Sequence, residues 1–385
     1  MRLRVRIPRV EPAQYQPWPE CCPACGNGTF HSHGFVDKPI RDTRFDQVRP
    51  QRIQCTACGH TQRVYPQGVT VRDQSERLRG LSIFLWLLGV SYRGVADVLT
   101  GLSAGLGKSQ IYDNVQQVGE KVRQLQEKRL AQRRVRVLAG DCTHVRVKGQ
   151  DTVVLQLSDG EKEMTLGIEV LEGEDTASLQ AAIAEVAQAV GAEALLSDDA
   201  DSYKTVADEL GLAHQLCQQH VVPNSLMLLV EIAGQLEKRL EGTPGEEVDK
   251  IEQAMTDIGE LEEIILWRSP GSQRRLESLA RRYEQEALPK KGQRATPFAR
   301  LKLLTLDLAA DWPRLTLTER WRDGDRRRFV PSTNNVSERG IGLNIKERYR
   351  TMRGYKSAVS LIRVATLTAY LREEGDQALI RALSA

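Results

Sequence analysis

The sequence VLAGD at residues 137–141 is an apolar run that ends in Asp141. Two other carboxylates have comparable surroundings, because Asp198 ends the run ALLSD and Glu338 lies in TNNVSER. Enzymes that cut or join DNA by in-line displacement use two divalent cations about 4 Å apart. Magnesium is held by carboxylates on rigid elements rather than by Cys or His. The three carboxylates therefore predict a two-metal phosphoryl-transfer site.

Each carboxylate also has a structural interpretation. Aspartate is common where a strand stops, because its side chain stabilises the turn that follows. The spacing of Asn335 and Glu338 is that of a helix capping box, in which the glutamate only closes the first turn. We favour the catalytic interpretation because the three groups occur together, in a fixed order, within a strand and helix pattern that suits it.

Residues 135–220 alternate in the way expected of an α/β layer fold. Three β-rich runs come first, and helices and strands then alternate. Asp141 follows the first predicted strand and Asp198 follows the fourth. The predicted strands are 135–139, 152–157, 164–170, 194–196 and 213–217, and the predicted helices are 176–190 and 203–210.

This arrangement resembles the bacterial insertion-sequence DDE transposases of the Mutator-like group, over roughly residues 135–375. The resemblance implies a multidomain α/β protein with a ribonuclease-H-like core, whose catalytic residues are Asp141, Asp198 and Glu338. Two Mg²⁺ or Mn²⁺ ions per site are implied as cofactors. The implied reaction is DNA strand cleavage at the ends of a mobile element, followed by strand transfer into target DNA. Because two ends must be held together, a homodimer or larger assembly is expected.

Two neighbours compete with Asp198 for the second catalytic position. The family usually has Ser or Thr, then Asp, then Gly here, whereas this chain has Ser197, Asp198 and Asp199. The resemblance therefore gives Asp198 the catalytic role, and Asp201 is predicted to cap the next helix.

The pair Cys217-x-x-His220 resembles a motif that follows the fifth strand in the Mutator-like group. It is only half of a zinc site. A buried thiol with a histidine that orients a carboxylate or touches DNA is one interpretation, and a structural pair is the other. Cys217 and His220 are therefore auxiliary candidates.

Residues 221–325 are predicted to be an all-helical insertion. Helices are expected at 226–240, 246–267, 273–288 and 297–310, separated by breaks rich in Gly and Pro. An insertion at this place matches the same transposase group. It explains how Asp198 and Glu338 can meet in space although 140 residues separate them in the sequence.

Residues 1–72 contain two Cys-x-x-Cys motifs, each followed by a glycine that permits a tight turn. Four thiolates at this spacing predict a closed tetrahedral site for structural Zn²⁺ in a zinc-ribbon module. Disulfides are the alternative, but no signal-peptide core is present, and a cytoplasmic, nucleoid-associated location is expected. The four predicted ligands are Cys22, Cys25, Cys55 and Cys58.

Other residues near these motifs are possible ligands. Cys21 adjoins Cys22 and can take its place if the motif is shifted by one residue. A nearby histidine can replace a sulfur, although surface or DNA-facing roles are favoured for all three. These histidines are His31, His33 and His60.

Residues 73–134 have the pattern of a helix-turn-helix followed by a basic linker helix. Ser91 is a predicted N-cap, a Gly-rich turn spans 101–107, and a recognition helix begins near Ser109. A Walker A loop is excluded because position 102 is Leu and no strand precedes the segment. A plain helical linker is the alternative. The residues expected to contact double-stranded DNA are Lys108, Ser109, Gln110 and Tyr112.

Residues 326–385 are expected to complete the catalytic core. A helix capped near Asn334 and extending to residue 345 would carry Glu338 in its first turn. The residues after it mix cations with aromatic rings that can stack on an unpaired base. The cations expected to contact DNA are Arg339, Lys346, Arg348, Arg350, Arg353 and Lys356.

The charge of this 385-residue chain is segregated although its net value is only +3. Lys and Arg outnumber Asp and Glu by 13 to 7 over residues 1–79 and by 11 to 4 over residues 320–356, but residues 141–211 have 4 against 16. The flanks therefore suit phosphates and the middle suits cations. No run approaches the roughly 20 apolar residues of a membrane span. A DNA-binding regulator that has lost cleavage and a structure-specific nuclease of the same fold are the alternatives to a transposase.

Overall fold

The computed structural model describes residues 4–241, 245–323, 326–352 and 354–384. Its first part is built from short strands, because the cysteine turns and many prolines interrupt the chain. Strands β2, β5 and β6 form a three-stranded antiparallel sheet, while β1 pairs with β7 and β3 with β4. The strands are β1 (Glu11–Tyr15), β2 (Phe30–Phe35), β3 (Lys38–Pro39), β4 (Gln47–Val48), β5 (Gln51–Cys55), β6 (Thr61–Val64) and β7 (Pro66–Gln67).

Three helices follow: α1 (Glu76–Leu87), α2 (Tyr92–Gly101) and α3 (Lys108–Leu130). The Ser91 side chain accepts a hydrogen bond from the Gly94 amide, as expected of an N-cap. The predicted recognition helix and the predicted basic helix form one element, because α3 runs unbroken through both and ends at Leu130. Its buried face continues from Val115 to Val122, and nothing between them breaks the helix.

The centre of the molecule is a five-stranded mixed sheet with the strand order β10-β9-β8-β11-β12. Strands β8, β9 and β10 are antiparallel, whereas β11 runs parallel to both β8 and β12. This mixed α/β arrangement is consistent with a ribonuclease-H-like core. Its elements are β8 (Val137–Val147), β9 (Gln150–Asp159), β10 (Met164–Leu171), α4 (Thr176–Val190), β11 (Ala194–Ser197), α5 (Asp201–Glu209) and β12 (Ala213–Leu216).

Residues 218–320 are mainly helical and have their own apolar core, which includes Ile232, Leu261 and Leu301. The helix after β12 begins at Gln218, earlier than predicted, and the third ends at Tyr283. The helices are α6 (Gln218–Leu240), α7 (Gly245–Trp267), α8 (Ser272–Tyr283), α9 (Pro297–Leu315) and α10 (Leu317–Arg320), followed by the short strands β13 (Arg322–Asp323) and β14 (Arg326–Arg327).

The last part of the chain returns to the sheet. It contains α11 (Asn335–Gly340), a π-helix (Ile341–Lys346), α12 (Glu347–Met352), α13 (Ala358–Glu373) and α14 (Ala378–Ser384). Helix α13 packs on both α3 and β10, and one apolar core joins α1–α3 with these carboxyl-terminal helices and one face of the sheet. In the described part of the chain, no helix has both the length and the apolar character needed to cross a bilayer.

Candidate active site

The strand register places Asp141 and Asp198 at neighbouring positions. Strands β8 and β11 are adjacent and parallel, with Ala139 opposite Leu196. Two residues further along each strand direction, the chain reaches Asp141 and Asp198. Both side chains are partly buried. The two carboxylates therefore lie side by side, Asp198 just after the carboxyl end of β11 and Asp141 on the adjacent strand β8.

The helix α11 brings Glu338 to the same place, and Asn334 fixes its position. The Asn334 side chain is fully buried, and its Nδ2 donates a 2.8 Å hydrogen bond to the Gly140 carbonyl, next to Asp141. Its backbone N–H donates to Cys217 Sγ at 3.2 Å. One residue thus ties the helix of Glu338 to the strand of Asp141 and to the end of β12. No local pattern in the sequence indicates this role, since the sequence predicts only a helix cap near Asn334.

The charges of Asp198 and Glu338 both act on Asp141. Burial, together with the negative charges of Asp198 and Glu338, raises the pKa of Asp141 to about 7. The imidazole of His220 acts in the opposite direction. A cluster of carboxylates that repel one another is suited to binding cations, which would remove the repulsion.

The capping-box interpretation of Glu338 is wrong in this structure. The N-cap of α11 is Asn334 rather than Asn335, and no side chain caps the helix. The Glu338 carboxylate instead lies 3.8 Å from His220 Nε2 and 3.9 Å from Cys217 Sγ, measured to Oε1. The Glu338 carboxylate therefore faces Cys217 and His220 and not the amino terminus of its own helix.

The neighbours of Asp198 have other partners. Lys204 Nζ forms ion pairs with Asp199 at 2.8 Å and with Asp311 at 2.6 Å. The prediction that Asp201 caps the next helix is wrong, because Ala200 is the N-cap of α5 and Asp201 is its first residue. Asp198 Oδ1 accepts a hydrogen bond from the Ala200 amide at 3.2 Å. Because Lys204 already pairs with Asp199, Asp198 is a better candidate metal ligand than Asp199.

Cys217 and His220 belong to the same site. The ligand atoms of Cys217, His220 and Glu338 all lie within 4.8 Å of one another, whereas Asp141 and Asp198 are not part of this group. A two-metal site spreads its ligands over two ions, so its carboxylates need not share one coordination sphere. His220 Nδ1 is buried and, within the described residues, has no hydrogen-bond partner.

The four predicted thiolates of the first module also converge. Cys22 Sγ lies 3.7 Å from Cys58 Sγ, and Cys25 Sγ lies 3.6 Å from Cys55 Sγ. Sulfurs about 2.3 Å from a tetrahedral zinc ion are about 3.8 Å apart, so the group fits that ion. Cys21 is exposed and lies outside the group, as do the three histidines.

The residues expected to contact DNA have different environments. Lys108, Ser109 and Tyr112 are exposed at the start of α3, but Gln110 Oε1 accepts hydrogen bonds from Arg41 and from the Gly107 amide. Among the cations predicted to contact DNA in the last segment, those that are exposed are Lys346, Arg350, Lys356 and Arg339, which pairs with Glu163 at 3.0 Å.

One residue of this set is not on the surface. Arg348 is only 3% exposed, because its guanidinium lies over the Trp86 ring at 4.0 Å. The prediction of a surface cation at this position is therefore wrong. Arg353 lies outside the described residues.

The contact between α11 and the sheet requires a glycine. A Cβ at Gly340 would collide with the side-chain amide of Gln156, which pairs opposite Asp141. Gln156 is buried and cannot swing away freely, since Ser158 and Asn344 hydrogen-bond its side chain.

We therefore expect Gly340→Ala to move the helix of Glu338 and lower DNA cleavage more than tenfold, with a loss of about 1–3 kcal/mol in stability. Gly342→Ala is the matched control, because a Cβ there meets no atom within 4 Å. Cleavage rates and thermal unfolding of both variants are the measurements. Equal activity in the two variants would contradict the importance of this contact.

Comparisons with known proteins give only distant likenesses. No family model matches the chain, and no curated protein matches it. The catalytic core domain of BIV integrase is similar in structure, with 13% identity, 49% of this chain and 88% of that chain covered, and a TM-score of 0.18. A Drosophila P element transposase strand transfer complex is also similar, with 10% identity, coverages of 81% and 94%, and a TM-score of 0.38. At these identities and TM-scores the site geometry alone carries the functional interpretation.

Proposed function

We propose that this protein is a DDE transposase that cleaves DNA strands at the ends of a mobile element and joins them to target DNA. The observation that carries the proposal is the convergence of Asp141, Asp198 and Glu338. Two of them come from the central strands β8 and β11, and the third comes from the distant helix α11. Cations would relieve the repulsion within such a cluster, and phosphoryl transfer uses carboxylate-held cations of this kind.

Asp141, Asp198 and Glu338 would hold two Mg²⁺ or Mn²⁺ ions. When bound, such ions activate the attacking oxygen and stabilise the leaving oxygen of a phosphodiester. The chain's own contribution is position. The β8–β11 register places the two aspartates, and the hydrogen bond between Asn334 and Gly140 sets the distance of Glu338 from them.

Cys217 and His220 would act as positioning residues for Glu338. The imidazole lies 3.8 Å from the carboxylate and the thiol lies 3.9 Å from it. Cys217 Sγ also accepts a hydrogen bond from the Asn334 backbone N–H, so it connects the end of β12 to the start of α11. Each of these contacts restricts the movement of Glu338 toward or away from the aspartates.

The other modules would hold the DNA. Residues 1–72 would be a zinc ribbon that binds one structural Zn²⁺, and residues 73–134 a helix-turn-helix region. Residues 135–220 and 326–385 would form the two parts of the catalytic core, with residues 221–325 inserted between them. The basic surface of the first and last segments would contact phosphates. Two copies or more would be needed to hold both element ends.

Three DNA substrates distinguish this function from the alternatives. With Mg²⁺, a transposase nicks DNA carrying the repeats that flank its own reading frame and joins the new 3′ ends to a plasmid. A DNA-binding regulator retards the same DNA without cutting it, and a structure-specific nuclease cuts branched DNA of any sequence without joining. Cleavage and joining confined to the flanking repeats is the expected result, and either of the other patterns would contradict it.

A further inference from the structure

An aromatic cavity lies between the start of α3 and the end of α12. Trp86 and Tyr92 are stacked with their ring centres 5.1 Å apart, and Tyr112 meets Tyr92 edge-on at 5.6 Å. The cavity has a volume of about 660 Å³, and Arg348 and Met352 also line it. Tyr112 is 41% exposed, so part of its ring is accessible to a ligand. A flat aromatic group fits such a lining.

Arg348 adds a buried positive charge, which Glu347 attracts electrostatically. Two described arginines are almost fully buried, Arg79 and Arg348. Arg79 forms an ion pair with Glu76 at 2.7 Å, whereas no carboxylate of the described residues forms an ion pair with Arg348. A buried unpaired charge is costly, and an anionic ligand would compensate it.

The hydrogen bonds of Arg348 are also incomplete. Its Nη1 donates to Thr351 Oγ1 at 2.8 Å, but its Nε is buried and has no acceptor among the described residues. The stacking on Trp86 offsets only part of the cost of burial. Burial lowers the pKa of Arg348 to about 10, so the side chain is still charged at neutral pH.

A second, basic cavity adjoins the first. It has a volume of about 780 Å³ and shares Met352, Gly354 and Lys356 with the aromatic cavity. The cations Arg146, Lys148, Arg350 and Lys356 line it. A cavity lined by cations beside an aromatic cavity matches the way proteins hold a nucleic-acid strand, with phosphates on cations and bases on rings.

We propose that the aromatic cavity binds one unpaired nucleotide of the DNA, with its base against Tyr112 and its phosphate at Arg348. The neighbouring phosphates of the same strand lie along the basic cavity. A free nucleotide has the same base and phosphate chemistry, but it would leave the basic cavity without a function. The proposal deepens the proposed function, since it rests on DNA being the partner.

The strand geometry gives the position of the basic cavity relative to the candidate active site. Arg146 follows Asp141 by five residues on β8, which is about 17 Å along the strand. Helical DNA advances about 3.4 Å per nucleotide. The phosphates in the basic cavity would therefore lie about five nucleotides from the phosphate that is cut, and the unpaired nucleotide would adjoin them.

The test compares the binding of two DNA duplexes without added Mg²⁺ or Mn²⁺, so that its outcome does not depend on cleavage and the proposed zinc is not chelated. One duplex is fully paired, and the other has a single unpaired adenosine about five nucleotides from the element end. Fluorescence anisotropy should show that the wild type binds the second duplex about tenfold more tightly, which is the typical contribution of one stacked base. Micromolar dAMP should not displace it.

Two variants and a control assign the preference to the cavity. Tyr112→Leu and Arg348→Gln should each reduce the preference to less than about threefold, while Trp267→Leu, which changes an exposed aromatic residue outside the cavity, should retain it. If circular dichroism shows that Arg348→Gln does not fold, the binding preference of Tyr112→Leu provides the test, because Tyr112 is exposed. Equal binding of both duplexes by the wild type, an unchanged preference in Tyr112→Leu, or displacement by micromolar dAMP would each overturn the proposal.

Discussion

Asp141→Asn should abolish strand cleavage in Mg²⁺ while leaving the binding of element-end DNA intact. The substitution keeps the size of the side chain and removes one negative charge from the proposed metal ligands. We expect a rate loss on the order of 1,000-fold, which corresponds to about 4 kcal/mol of activation free energy. Cleavage of labelled end DNA and its retardation in gels are the two measurements.

The stability of the Asp141→Asn variant provides an independent check. Burial and the charges of Asp198 and Glu338 raise the pKa of Asp141 in the folded state. At a pH above that pKa, the charged form costs stability, and the neutral amide does not. The unfolding temperature of the variant without metal should therefore be no lower than that of the wild type.

Asp199→Asn is the matched control for the second aspartate. Asp199 is engaged by Lys204 at 2.8 Å, while Asp198 is not part of that ion pair. Asp198→Asn should lose cleavage as Asp141→Asn does, and Asp199→Asn should retain most of it. Loss of cleavage in Asp199→Asn with activity in Asp198→Asn would move the ligand by one residue.

Cys25→Ser should lose the zinc that the wild type retains through purification without added metal. The four sulfurs already lie at the spacing of a tetrahedral thiolate site. Metal binding and folding of so small a module are coupled, so loss of one ligand should also unfold residues 1–72. Plasma mass spectrometry should find about one zinc ion per wild-type chain and almost none in the variant.

Cys21→Ser is the control for the zinc prediction. Cys21 is exposed and does not belong to the group of four thiols. This variant should keep its zinc and its resistance to proteolysis. Loss of zinc in Cys21→Ser with retention in Cys22→Ser would show that the first motif is shifted by one residue.

Local patterns in the sequence predicted the five strands of the central sheet, although the first continues to Val147, so that Asp141 lies within it and not after it. Apolar runs of strand length end at Asp141 and near Asp198, and the helix between the fourth and fifth strands is amphipathic. The fold then follows from pairing rules that hold for short connections. The N-cap at Ser91 was predictable because it depends on nearby residues. The convergence of the four cysteines was predictable although they are distant in sequence, because two Cys-x-x-Cys motifs together supply the four ligands of a tetrahedral zinc site.

Contacts between distant residues were not predictable. The hydrogen bond from Asn334 to Gly140 joins residues 194 positions apart, and no local pattern distinguishes Asn334 from an ordinary cap. Arg348 is buried by Trp86, which lies in the first half of the chain, so its position among surface cations in the sequence was misleading. The capping-box spacing of Glu338 was misleading for the same reason, since α11 is held by the sheet and not by its own terminus.

The central claim is that Glu338 acts with Asp141 and Asp198 as one catalytic site. Strand transfer by Glu338→Gln tests it most directly, because the amide keeps the shape of the side chain and removes only its charge. The variant should fold, bind element ends as the wild type does, and yield no joined product in Mg²⁺ or Mn²⁺. Undiminished strand transfer by Glu338→Gln would contradict the claim.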